Sequence, residues 1–355
     1  MKISSLYRYG GIFLGVNTWM ILRLYNTSWR HTVFQLYDSW IFPMIRKVYS
    51  FTLYQLPFPV MYFFVFVCLV IVGIFLKNVI QKKLTYYDSI LKVANGLGYA
   101  YFLFYFLWGF QYFRPSMVDL LHLDAVTMDS TALKKEFSTA STKIKDLREK
   151  LSQDTLPLKD LGSYDENFLA IAENQKTILT QWRWFATEKA HIRMLYPKGV
   201  LLRFSTAGFY WPFIGEGQID GGLHPLQWPF TAAHELAHAN GITDEGECNF
   251  IGFLTCIKSQ NLAIQYSGWL GYWRYVYFEM IKNKVSVHEE MANLPLGVLN
   301  DLKDIRKYLL QYPDILPQLR DVIYESYLKN NHVTSGLQSY NQIIDLKIRY
   351  DQNFQ

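Results

Sequence analysis

From Pro57 to Leu76 the chain runs for twenty residues, PFPVMYFFVFVCLVIVGIFL, without one charged side chain. At 1.5 Å of rise per residue, a helix of that length reaches across a hydrocarbon layer of roughly 30 Å. Whatever the chain folds into must give this stretch apolar surroundings on every side, and a bilayer is the surrounding it predicts. Val93 to Phe113 is a second uncharged run, rich in Tyr, Phe and Trp, which stops where Arg114 and Pro115 set a charge beside a helix breaker. Tyr9 to Leu22 is shorter, lying between Arg8 and Arg23, and spans if Arg23 snorkels to the interface. A cleaved signal peptide is the competing reading of that first run; no small-residue cleavage site follows it.

Charge divides at the same place. Residues 1 to 113 hold ten of the 35 Lys and Arg but only Asp38 and Asp88 among the 30 acids, which leaves 25 basic and 28 acidic residues for 114 to 355. The pI near 8.8 therefore describes the N-terminal part and is no argument for a nucleic-acid partner, which would need a basic patch on the remainder; none is expected. We read 1–113 as a membrane anchor and 114–355 as a second, mainly helical domain. Lys77, Lys82, Lys83 and Lys92 crowd the loop between the two longer runs, and the positive-inside rule places them in the cytoplasm. The C-terminal domain then emerges on the other side, and the lipid bilayer is the first partner implied. Residues 23 to 56 mix aromatic, aliphatic and basic side chains as an interfacial segment does.

Further along, Ser130 to Leu151 is an amphipathic helix by its pattern, with Leu133, Phe137, Ile144 and Leu147 on one face. Ser163 and Glu166 stand at capping-box spacing and open a longer helix whose apolar stripe is Phe168, Ile171, Ile178, Trp182 and Phe185. His191, near its end, reads as an ordinary surface or core histidine. Between 200 and 223 five glycines, Pro212 and alternating aromatics predict short extended segments and tight turns, a small β element able to pair with an extended peptide. A plain connecting loop is the bland alternative, and Glu216 within it has no ligand spacing.

That element leads into His-Glu-Leu-Ala-His, residues 234 to 238. On a helix, His234 and His238 lie nearly above one another and can aim their ring nitrogens at one Zn²⁺, whereas Glu235 points about 100° away, where a base belongs rather than a third ligand. Pro229 suits the start of this helix and Gly241 its end. The next helix opens with Asp244, Glu245 and Glu247, and each is a candidate third ligand. Glu245 and Asn249 share a face, so the carboxylate would bind while the amide orients a neighbouring ligand. Asp244 completes H-E-x-x-H-x-x-G-x-x-D, and Glu247 is the remaining choice; an acidic first turn that merely complements the helix dipole is the alternative for all three.

The segments HELAHANGITDEGECNF, PFIGEGQ and YLKNNHVTSGLQSYNQIIDL give the chain a resemblance, over nearly its whole length, to a bacterial membrane family of zinc-metallopeptidase type, domain of unknown function 3810. That resemblance implies an HExxH membrane protein with no established substrate. The Glu245-to-Asn249 pattern is also similar to the third-ligand motif of gluzincin-type peptidases, with Cys248 where those motifs usually have Ala, and this implies Glu245 as ligand.

Gly268 to Ile281, GWLGYWRYVYFEMI, reads as a buried or membrane-abutting helix, and 287–311 and 317–329 as further amphipathic ones. His332 and Tyr340 are donors of the kind that steady an oxyanion and are carried as candidate catalytic residues. Cys248 and Cys256, eight apart on one helix, are about 12 Å apart and too distant for a disulfide. The expectation as a whole is an N-terminal set of transmembrane helices followed by a mostly helical, zincin-like metallopeptidase domain. Zn²⁺ is its cofactor, Glu235 its acid–base group, and a peptide or protein its substrate. A membrane receptor or scaffold with a structural zinc is the alternative from another class.

Overall fold

The computed structural model describes residues 3–187, 191–315, 317, 318, 322, 326, 331 and 342–354. The chain is mainly helical with one three-stranded sheet. It divides into two compact units, Met1–Pro115 with Trp211–Glu216, and Ser116–Tyr210 with Gly217–Gln355. The expectation of a break at 113 lacked the return of Trp211–Glu216 to the first unit. Hydrogen bonds from Arg46 Nη1 to Gly215 O (3.1 Å), Tyr49 Oη to Phe213 O (3.1 Å) and Val60 N to Glu216 Oε2 (3.0 Å) hold it there.

The first unit begins with α1 (Ile3–Leu22), followed by α2 (Trp29–Leu36), a π-helical turn at Tyr37–Ile41 and α3 (Phe42–Phe51). Then come α4 (Val60–Ile80) and α5 (Tyr86–Leu107), both long and apolar enough to cross a membrane. α4 continues past Leu76 through Lys77, and α5 starts ahead of Val93, where Thr85 Oγ1 accepts from Asp88 N. The second uncharged run does not stay helical to Phe113, because Trp108 leaves helical geometry at φ −159° and a 3₁₀ turn follows. α1 and α5 pack side by side and parallel. Arg8 pairs with Asp88 near the start of both (3.4 Å), and Asn95 Oδ1 accepts from Gly11 N (2.7 Å) and Ile12 N (3.2 Å) further along. The approach depends on glycine, since a Cβ on Gly98 would lie 2.2 Å from Gly11 O.

In the second unit a short α6 (Met117–Leu120) precedes α7 (Ser130–Leu151), capped by Asp129, whose carboxylate accepts from Thr131 N and Ala132 N. Its predicted stripe of Leu133, Phe137, Ile144 and Leu147 is buried. α8 (Tyr164–Gln181) starts at Ser163 as the capping box predicts, but stops short of Trp182 and Phe185. The sheet consists of β1 (Ile192–Leu195), β2 (Gly208–Trp211) and β3 (Glu216–Asp220) in the order β1-β3-β2. β1 and β3 are parallel, with Ile192 opposite Gly217 and Leu195 opposite Asp220.

Among the described residues, helices follow: α9 (Trp228–Ala239), α10 (Glu245–Ile257), α11 (Leu262–Lys282), α12 (His288–Ala292), α13 (Leu296–Leu310) and α14 (Gln342–Phe354). α12 and α13 replace the single helix expected over 287–311, because Pro295 lacks the N–H that would continue it. The aromatic α11 lies inside the unit, where Phe253 of α10 meets Trp269 at 4.9 Å and Tyr272 at 4.7 Å between ring centres. Two ion pairs offset the desolvation of buried charges: Arg148 with Asp301 (2.9 Å), and Lys347 with Glu136 (2.7 Å). Most of the helix expected over 317–329 lies outside the described residues.

Candidate metal centre

α9 is pinned at both ends. Ser267 Oγ accepts from Phe230 N (3.2 Å) in its first turn, and Gly241 ends it at φ +88°, a left-handed conformation that glycine takes without strain. Behind it, Gln175 of α8 donates to Ala233 O (2.8 Å). His234 and His238 consequently stand one turn apart with ring centres 4.9 Å from each other.

The reversal at Gly241 brings the first residue of α10 back onto these rings. Glu245 Oε2 lies 3.1 Å from His234 Nε2 and 3.5 Å from His238 Nε2. One donor atom from each of the three residues falls within 4.8 Å of the others, a group that could hold a metal ion. Of the carboxylates that the sequence left open, Asp244 is occupied as the cap of α10, accepting from Glu247 N (3.0 Å), and Glu247 accepts from Met117 N (2.5 Å). Neither joins the group.

The opposite nitrogen of each imidazole is also engaged. His234 Nδ1 is 2.8 Å from Asn249 Oδ1, and His238 Nδ1 is 2.9 Å from Ile242 O. A carbonyl oxygen only accepts, so Nδ1 carries a proton in both rings, which leaves Nε2 of each, the nitrogen facing Glu245, as the one that would hold an ion. Asn249 is held in turn by the Tyr275 hydroxyl, whose pKa burial raises to about 12. Cys248 Sγ lies 3.3 Å from His238 Nδ1, and burial pushes its thiol up to about 12, so it sits beside the ring as a neutral group. Burial alone would also raise Glu245, but His238 and His234 against it outweigh that and hold its carboxyl well below the usual range.

Glu235 faces another way. It is buried, and its Oε2 has no hydrogen-bond partner among the described residues. The backbone of β2 and β3 covers it: a Cβ on Gly208 would fall 2.6 Å from Glu235 Oε1, and one on Gly217 3.1 Å from its Cβ. Burial lifts its pKa from 4.5 to about 7, against the pull of the two histidines. Sequence reasoning placed His234, His238, Glu235, Glu245 and Asn249 but missed Ile242 O, Gly208, Gly217 and Tyr275. A backbone carbonyl after a glycine stop and two glycines among five carry no spacing signal, and Tyr275 is one of many aromatics on α11. His332 and Tyr340 lie outside the described residues, and His191 and Glu216 do not belong to the group.

A family model described as a protein of unknown function (DUF3810) matches residues 37–348. The chain belongs to the DUF3810 family. No curated protein and no solved structure matches this DUF3810 chain. The match begins just after α2 and takes in the π-helical turn, α3, α4, α5 and the metal group.

Two expected outcomes arise from this geometry. Asn249→Ala frees the His234 ring to turn and lowers metal affinity about 10–100-fold with the fold retained, as read by competition with a chelating dye. In the metal-free protein, Glu235 is protonated in the folded state up to about pH 7 but in the unfolded chain only up to about 4.5. The folded state therefore binds the extra proton between those values, and stability falls as pH rises through that window, by on the order of 3 kcal/mol in total. Glu235→Gln removes this dependence, so its melting-temperature advantage over the parent protein grows from pH 4.5 to 7 and then levels off.

Proposed function

We propose that this DUF3810 chain is a membrane-anchored zinc peptidase. The observation that carries the reading is Glu235: a buried carboxylate with an orphaned oxygen, directly beside two imidazoles and one carboxylate that offer three ligands. A structural zinc site closes with four protein ligands, whereas a catalytic one keeps three and leaves a position open. Among the described residues the metal-capable group has three members, and the nearby Cys248 meets the far nitrogen of His238 rather than Nε2. The two distances from Glu245 also suit zinc. Ligands about 2.1 Å from a tetrahedral ion lie about 3.4 Å from one another, and Glu245 Oε2 stands 3.1 and 3.5 Å from the two ring nitrogens.

When bound there, the ion supplies Lewis acidity toward water and a substrate carbonyl. The remaining work falls to side chains. His234, His238 and Glu245 hold the ion, with Asn249 and Ile242 O fixing the tautomer of the rings. Glu235, buried beside the group, takes the proton of the attacking water and returns it to the leaving amine. β2 is an edge strand of the sheet and Gly208 of β2 lies against Glu235, so an extended peptide paired along this edge would bring its backbone to the proton carrier. A strand edge beside an HExxH helix, with the third ligand on the following helix, is the arrangement we read as zincin-like. The test is hydrolysis of a mixed peptide library by purified protein, in which Glu235→Gln retains zinc and cleaves nothing. Equal cleavage by the variant would dismiss the assigned base.

The reading includes α1, α4 and α5 as three spans. The parallel packing of α1 and α5 supports it, since the first and third of three successive crossings must run the same way. With the lysines of 77–92 in the cytoplasm, α5 leads outward and the peptidase faces away from the cytoplasm. A bulky impermeant thiol reagent applied to intact cells labels a single Cys at Lys145 and leaves one at Lys82 unlabelled. Labelling at 82 alone would invert the orientation.

A further inference from the structure

α2, the π-helical turn and α3 form one unbroken helix from Trp29 to Phe51, about 35 Å long. One face is buried within the first unit through Phe34, Tyr37, Phe42, Ile45 and Tyr49. The other exposes Trp29, Leu36, Trp40, Met44, Val48 and Phe51, each at 53% or more. Steps of four residues drift about 40° around an α-helix, and the π turn, with more residues per turn, takes up that drift and keeps the exposed apolar side chains in line. A water-facing surface does not carry such a stripe without an occupant.

The position of this helix in the first unit identifies the occupant. The chain reaches it from the C-terminal end of α1 at Leu22 and leaves it for the N-terminal end of α4 at Val60. Its inner face docks on the C-terminal end of α5: Tyr37 Oη donates to Phe106 O (2.8 Å), and Arg30 donates to Phe113 O (3.1 Å) and Arg114 O (2.9 Å). Because α1 and α5 are parallel, these three helix ends belong to one face of the membrane. Arg30, Asp38, Arg46 and Lys47 deny the connecting helix a crossing of its own. Arg23 stacks on Trp19 at 4.3 Å where α1 ends, a basic and aromatic pair suited to the headgroup level.

We propose that the Trp29–Phe51 helix lies flat in the membrane surface at the face where α1 and α5 end, with its exposed apolar stripe sunk into the headgroup–acyl boundary of an anionic bilayer. The proposal rests on the three-span part of the reading above and is independent of the metal chemistry. Tryptophan at two positions of the stripe fits that boundary, and exposed Lys47 beside it, with Arg23 where α1 ends, favours anionic headgroups at this face.

The test uses the full chain with Cys68→Ser in nanodiscs of zwitterionic and anionic phosphatidyl lipids. Spin labels go one at a time at positions 36, 40, 44 and 48, at Ser39 and Lys47, and at Leu69 on α4, and each is read by collision with oxygen and with a water-soluble nickel chelate. Positions 36, 40, 44 and 48 should favour oxygen at depths of about 5–10 Å, with Ser39 and Lys47 open to the chelate and Leu69 deepest. Chelate access at 40, 44 and 48 equal to that at Lys47, with Leu69 still in lipid, overturns the proposal alone. Screening of the stripe from both reagents also overturns it, since protein such as a second copy would then cover the face. A water-exposed Leu69 overturns the span reading and the proposal with it.

Discussion

Purified protein is expected to carry about one zinc per chain, and His234→Ala or His238→Ala is expected to empty the site. Each substitution removes one of three ligands and leaves Glu245 Oε2 facing a single imidazole instead of two, at 3.1 or 3.5 Å. With two ligands left, affinity should fall at least a thousandfold, since structural zinc sites draw on the order of 10 kcal/mol from three or four such bonds. Glu245→Ala gives the same loss, which separates it from its neighbours. Asp244→Ala removes a helix cap, costing about 1 kcal/mol of stability, and leaves the zinc bound. Glu247→Ala frees Met117 N and likewise leaves it bound. Metal analysis of the five variants after dialysis reads the difference, and loss of zinc in Asp244→Ala with retention in Glu245→Ala would reassign the third ligand. Lowering the pH releases the ion as well, because both imidazoles must be neutral to bind it.

Some of this was legible in the sequence because the signals are local. Two histidines four apart, Pro229 ahead of them and Gly241 behind them define α9 by helix geometry alone. The α7 stripe and the Ser163 cap are local in the same sense. β1 was not legible: four residues cannot display an alternating pattern, and its partner β3 lies beyond a long connection. The choice between Asp244, Glu245 and Glu247 depended on how the chain turns after Gly241, since a rotation of one residue would have presented a different carboxylate to the histidines. Glu235 offered its spacing but not its burial, which comes from Gly208 and Gly217 on strands whose side of approach no periodicity records. In the first unit, the uncharged runs mark α4 and α5, whereas the parallel seam between α1 and α5 hangs on Gly11, Asn95 and Gly98, three small residues with no distinguishing pattern.

Glu235→Gln is expected to have the largest effect on activity. The change is nearly isosteric, keeps His234, His238, Glu245 and their hydrogen bonds, and removes only the proposed proton carrier. Loss of a general acid–base group of this kind costs about 10²–10⁴-fold in rate, and more where the same side chain serves both halves of the reaction. The decisive measurement is a comparison of new protein N-termini in membranes of cells that express the wild-type chain or the zinc-loaded Glu235→Gln variant at equal levels. A peptidase gives a set of cleavage products present with the wild type and absent with the variant. Identical sets of N-termini from the two would contradict a hydrolytic role for this centre.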